Sequence, residues 1–152
     1  MIHLEQTVDI DGKASERIAR QAYVNAFFQS GFANPIDRAI CDHQKYETDG
    51  VQKSDEIPYD FIRKRLSVRV SQDGKKVMIT KGALANVLEC CTKVEMSSGE
   101  LVDLGSRRDS IDRRFAEMSN EILKSCSELM LRRRWQDWPG STSLTYWKSI
   151  WP

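Results

Sequence analysis

The sequence predicts an α+β fold (α/β in some schemes), an antiparallel sheet flanked by helices, on three observations. Arg65-Leu66-Ser67-Val68-Arg69-Val70-Ser71 alternates polar and apolar residues strictly, the period of a strand with one face buried and one in water. Gln72-Asp73-Gly74-Lys75 follows as a tight hairpin turn, since glycine takes the positive φ such turns demand, and Lys76 to Lys81 returns as the partner strand. Segments of helical period lie before and after this hairpin, so its apolar face has helices to cover it.

Taken in order, residues 14–30 read as a helix with Ile18, Ala22, Val24, Ala26, Phe27 and Phe28 as its apolar positions, Ser15 capping the start and Gly31 the end. Asn34-Pro35-Ile36-Asp37 opens a second helix that runs to about Asp42. Asn34 can cap it, Pro35 loses nothing at the first helical position, and Asp37 faces the positive helix end. The polar stretch from Tyr46 to Asp55, punctuated by Asp49-Gly50, reads as a loop, and Glu56 to Phe61 as a third strand with Pro58 at an edge or bulge. A short helix from Ala83 to Cys91 and a hairpin through Ser97-Ser98-Gly99-Glu100 come next. Residues 109–124 form a last helix, with Ile111, Phe115, Met118 and Ile122 spaced by four, three and four.

Length and composition bound the function. The chain has 152 residues, 40% apolar and 30% charged, which describes one globular domain and excludes collagen-like, disordered and disulfide-scaffold classes. With 23 Lys and Arg against 22 Asp and Glu the net charge is +1, too little for a global field that would hold nucleic acid, so no nucleic-acid partner is expected. Four cysteines, two of them the neighbours Cys90 and Cys91, suit a reducing compartment, and His3 and His43 lack ligand spacing, so no bound metal is expected. Neither a signal peptide nor an apolar run long enough to span a membrane is present, which predicts a cytoplasmic chain.

No self-contained active site emerges. Gly-rich phosphate loops, H-E-x-x-H and G-x-S-x-G are all absent, so no catalytic residue is assigned. Aromatic and basic residues gather instead at Tyr59, Phe61, Arg63, Lys64 and Arg65, and at Lys81-Gly82 where a strand passes into a helix.

Three segments carry a resemblance. Gln29-Ser30-Gly31-Phe32-Ala33-Asn34-Pro35-Ile36-Asp37-Arg38-Ala39-Ile40, the stretch Asp55-Glu56-Ile57-Pro58-Tyr59-Asp60-Phe61-Ile62-Arg63-Lys64-Arg65-Leu66-Ser67-Val68, and Ile79-Thr80-Lys81-Gly82-Ala83 resemble the nucleotide-binding (N) domain of P-type cation-transporting ATPases, most of all the magnesium-transporting subgroup. Their order and spacing make the likeness specific, and it spans roughly residues 1–125.

The resemblance implies an N-domain fold that binds ATP, as Mg-ATP, and presents it to a phosphorylation domain of a parent or sister ATPase. It implies five nucleotide-binding residues. Tyr59 stands where the family has a Phe that stacks on adenine, and its ring keeps the π face. Asp37 stands where a carboxylate accepts from the adenine amino group, Lys81 lines the pocket floor, Gly82 lets backbone and nucleotide approach, and Lys64 lies near the phosphates. Replacing Lys81 by Glu is expected, on this reading, to abolish binding and leave the fold intact.

Two departures from the family pattern shape the remaining expectations. The Asp-Lys-Thr-Gly-Thr motif that carries the family's phosphorylated aspartate does not occur in these residues, so no turnover is expected of the chain alone. Where the family continues into a Gly-x-Arg-Val-Leu-type strand, this chain reads Leu129-Met130-Leu131-Arg132-Arg133-Arg134-Trp135-Gln136, which removes the expected signal for the last central strand. All four tryptophans, Trp135, Trp138, Trp147 and Trp151, fall in this tail, as after a shifted reading frame. Two domains are therefore expected: a nucleotide-binding domain over 1–125, and a non-homologous, poorly ordered tail over 126–152. The rival readings are a remnant that binds no nucleotide and an Arg/Trp tail that contacts nucleic acid or membrane.

Overall fold

The computed structural model describes residues 3–31, 34–121, 128–134 and 142–150, with side chains described at Leu4 and within 6–31 and 34–118. The elements are β1 (His3–Val8), α1 (Glu16–Phe28), α2 (Pro35–His43), β2 (Val51–Asp60), β3 (Arg65–Gln72), β4 (Lys75–Ala83), α3 (Leu84–Leu88), β5 (Lys93–Glu95), β6 (Leu101–Asp103), α4 (Arg108–Glu121), β7 (Glu128–Arg134) and β8 (Thr142–Ile150). The strands form one sheet in the order β2-β3-β4-β7-β8-β5-β6, with β1 also paired to β8. Every pairing is antiparallel except the short parallel contact of β5 with β8. The predicted class, an antiparallel sheet with helices, is what the structure has.

The β3–β4 hairpin forms where the alternation placed it. Asp73 and Gly74 both take positive φ, 52° and 71°, the pair of conformations a two-residue type I′ turn requires. In an antiparallel pair, opposed residues share a face, so the register of Leu66 with Lys81, Val68 with Ile79 and Val70 with Val77 builds one buried surface. Ile18, Ala22 and Val24 of α1 and Ile36 and Ile40 of α2 pack in the same core. A second core joins Val8, Leu84, Val87, Leu88, Val94, Leu104, Ile111 and Met118 around α3 and α4.

Several expectations change. Ser15 sits at the N-cap of α1 in extended conformation but makes no side-chain cap bond, and the helix stops at Phe28 with Gln29, not Gly31, as C-cap. Phe27 is half exposed and stacks on Tyr23 at 5.7 Å. Strand β2 begins at Val51, inside the stretch read as loop. It is the edge of the sheet and mostly exposed, so its sequence carries no apolar alternation to announce it. Strand β1 has no counterpart in the sequence reading.

Two strands of the sheet come from the last part of the chain, β7 at residues 128–134 and β8 at 142–150. Strand β7 lies beside β4, with Ile79 opposite Arg132 and Lys81 opposite Met130. Thr, Tyr, Trp and Ile in Thr142-Ser-Leu-Thr-Tyr-Trp-Lys-Ser-Ile150 favour a pleated surface. Ile122, Trp135, Trp138 and Trp151, all named from the sequence, lie outside the described residues.

Candidate nucleotide site

A β-bulge aligns the site. Along the edge pair, Ile57 opposes Ser67 and Asp60 opposes Arg65, so Pro58 and Tyr59 together face the single residue Leu66. Leu66 in turn opposes Lys81 on β4. The bulge thus sets Tyr59 in line with Lys81 across one intervening strand, the local re-aiming that an extra strand residue produces. Pro58 fits there because an edge strand at a bulge does not need its missing N–H. Tyr59 is 42% exposed, a large aromatic surface left open to solvent.

At the other end of this line, Lys81 and Asp37 are both buried and form an ion pair. The Lys81 ammonium donates to Asp37 Oδ1, and Gln29 Nε2 donates to Asp37 Oδ2. Local structure sets this arrangement. Asn34 Oδ1 accepts from the Ile36 N–H at 2.9 Å, starting α2 so that Asp37 falls in its first turn, and the extended Gln29 just after α1 turns back towards it. A cavity of about 260 Å³ opens beside Asp37, lined also by Gln29, Ser30, Asn34, Arg38 and others. Nearby, Ser67 and Thr80 share a buried hydroxyl hydrogen bond of 2.7 Å across β3 and β4.

The turn after β2 is held from within. Asp60 Oδ1 accepts from the N–H groups of Ile62 (2.8 Å) and Arg63 (3.0 Å), while Arg63 Nε donates to Oδ2 at 2.6 Å. The Arg63 backbone and side-chain bonds, with that of Ile62, lower the Asp60 pKa to about 2. A depressed carboxylate contributes to stability above its unfolded pKa and loses that contribution as pH falls through the folded value. The turn is therefore expected to stay ordered from pH 7 to near 3.8 and to loosen as pH falls towards 2. Carboxyl NMR titration measures this, and a midpoint for Asp60 near 3.8 would show the turn unheld.

Lys64 closes the turn at φ 50°, a left-handed conformation that costs a residue with a side chain roughly 1–2 kcal/mol. Two hydrogen bonds hold it: its N–H donates to the Asp60 carbonyl at 2.6 Å, and its carbonyl accepts from the Ala83 N–H at 3.0 Å. Gly82 is needed for that contact. A Cβ at Gly82 would meet the Lys64 carbonyl oxygen at 2.3 Å and Arg65 Cβ at 2.6 Å. What fills the space that a Cβ would take at Gly82 is the protein's own backbone, the Lys64 carbonyl.

Of the five residues expected from the sequence, the structure brings Asp37 and Lys81 into direct contact, sets Tyr59 in line with them, and joins Lys64 to the Gly82-Ala83 end of β4. Sequence reasoning missed Gln29, Asp60 and Glu56. Glu56 bridges the α1–α2 connection to β2, accepting from the Ser30 N–H (3.0 Å), the Ser30 hydroxyl (2.6 Å) and Lys53 Nζ (2.5 Å). Burial works to raise the Glu56 pKa, but the bonds from Lys53 and Ser30 outweigh it and leave the pKa below the usual value. Among the described residues no cluster of metal-ligating side chains occurs, and no helix is long and apolar enough to cross a membrane.

Comparison with known proteins finds relatives that share this stretch. The magnesium-transporting ATPase, P-type 1, of Escherichia coli (strain K12) is 38% identical over 109 residues, 68% of this chain and 12% of that protein. The protein of the same name from Salmonella typhimurium (strain 14028s / SGSC 2262) gives the same figures, and one from strain LT2 is 32% identical over 115 residues, 71% of this chain and 13% of that protein. The chain thus spans about an eighth of the length of these relatives. The family model described as P-type ATPase, cytoplasmic domain N, matches residues 12–131, a span that contains Asp37, Tyr59, Lys64, Lys81 and Gly82. The helices α1 to α4 and strands β2 to β6 fall inside that match, and the chain belongs to the family of P-type ATPase cytoplasmic N domains.

Proposed function

We propose that this chain is the ATP-binding part of a magnesium-transporting P-type ATPase and presents nucleotide to a phosphorylation domain. The observation that carries this reading is the bulge at Pro58-Tyr59, which puts an exposed aromatic face in line with the buried Lys81–Asp37 pair. An aromatic ring stacks on any base face, and the pair behind it supplies polar groups at the floor. Each Asp37 oxygen keeps a lone pair beyond the bonds from Lys81 and Gln29, enough to accept from an adenine amino group. Lys64, a flexible point charge at the turn, suits the phosphates of Mg-ATP. The phosphates would then point away from the floor, towards the aspartate of a partner domain.

A ligand bound by one stacked base and a few polar contacts should bind with Kd on the order of 0.1–1 mM. Titration of the labelled chain with ATP is expected to move the amide signals of Tyr59 and Lys81. Tyr59→Ala removes a half-exposed ring, so the fold should persist while binding weakens by about 1–3 kcal/mol, the worth of one base–aromatic stack. No shift at either residue at several millimolar ATP would overturn the reading and leave a folded chain without nucleotide binding.

A further inference from the structure

We infer that Phe61 is a second aromatic wall of the nucleotide site, a positioning residue that orients the Tyr59 ring and meets the base edge. The inference rests on the nucleotide reading above. Phe61 is 85% exposed, and neither core accounts for its presence. A large apolar side chain left in water gains nothing from burial, so its value to the fold is small. The turn that carries it is held by its neighbours. The Asp60 carboxylate accepts from the N–H groups of Ile62 and Arg63, and the Lys64 N–H donates to the Asp60 carbonyl. These bonds hold the chain on both sides of Phe61 and so set the place from which its ring projects.

That place is beside Tyr59. The ring centroids lie 5.1 Å apart with planes at 82°, an edge-to-face pair. Two perpendicular rings make a corner. A planar base laid on the face of one ring presents its edge to the other, so the corner restricts rotation of the base about the stacking axis. A single exposed ring would leave that rotation free. Phe61 therefore adds orientation as well as area, and aromatic character at position 61 is what the role requires.

The test is ATP affinity and adenine ring-current shifts in the full chain, for wild type and for Phe61→Ala, Phe61→Leu, Phe61→Trp and Tyr59→Ala. We expect Phe61→Ala and Phe61→Leu to weaken ATP roughly threefold to tenfold, the range for one aromatic pair, with unchanged thermal unfolding of the free chain. Phe61→Trp should restore affinity, and only the aromatic variants should keep the shift difference between adenine H2 and H8 that marks a fixed base orientation. Wild-type affinity and shifts in Phe61→Leu, with binding lost in Tyr59→Ala, would overturn the role of Phe61 and leave the nucleotide reading standing. Absence of any ATP binding by the wild type would overturn both. A lowered unfolding temperature in Phe61→Leu would identify the ring as structural and overturn the inference as well.

Discussion

Lys81→Glu is expected to unfold the domain or bring it close to unfolding, contrary to the sequence-based expectation that the fold would survive. Lys81 is 2% exposed, and its ammonium is paired with an equally buried Asp37. Removing one partner from a buried pair costs about 3–5 kcal/mol because the other charge is left uncompensated, and a glutamate there adds a like charge to that cost. Against a typical domain stability of about 5–15 kcal/mol this is roughly a fifth of the total at least, and in a marginal domain all of it. Urea denaturation measures it. The double replacement Asp37→Leu with Lys81→Met removes both charges and should recover most of the loss, since an apolar pair of similar volume is often no less stable than a buried ion pair. Wild-type stability in Lys81→Glu would show that the pair is not buried in solution. Lys81 is accordingly a poor probe of nucleotide binding, and Tyr59 the better one.

The second large effect is expected from the C-terminal strand. Ending the chain at Arg134 removes β8, which is paired with β7 from Leu129 opposite Tyr146 to Arg133 opposite Thr142, and with β1 and β5 along its other side. Its loss would separate β2-β3-β4-β7 from β5-β6, detach β1 from both, and leave β7, β1 and β5 with unpaired backbone groups. Such edges invite association. The shortened chain should therefore aggregate on size exclusion, and its β1 amides should lose protection from hydrogen exchange. Thr145→Pro gives a milder test within the full chain, because proline takes one N–H out of a strand interior. If the shortened chain and Thr145→Pro both melt at the wild-type temperature with β1 amides still protected, β8 contributes nothing to the fold. Domain organisation follows from the same measurement: a loss of stability makes 126–152 part of one folding unit with 1–125.

The site was legible in the sequence to differing depths, for physical reasons that differ by residue. Asp37 was visible because Asn34-Pro35 fixes a helix start and so fixes what stands in the first turn. Lys81 was visible as the end of a strand but not as a buried ion, since burial of a lysine depends on a partner 44 residues away. Phe61 appeared only as one aromatic in a cluster. Its edge-to-face contact with Tyr59 depends on a bulge and on an Asp60-bound turn, neither of which has a hydrophobic period to announce it. Gly82 is legible for its lack of a Cβ, which the sequence reading assigns to the approach of backbone and nucleotide; the structure shows the backbone neighbour. That neighbour is the Lys64 carbonyl.

By itself, then, the sequence determined the α+β class, the central hairpin and the helices that cover it, because alternation, turn glycines and capping residues act over a few neighbouring positions. Three short segments carry the likeness to the family whose model matches residues 12–131. Only the tertiary structure decided that residues 128–134 and 142–150 complete the sheet, and that β1 belongs to it through β8. Strand pairing is satisfied by hydrogen bonds to distant segments, and a strand whose partner is remote in sequence carries no local mark of where it pairs.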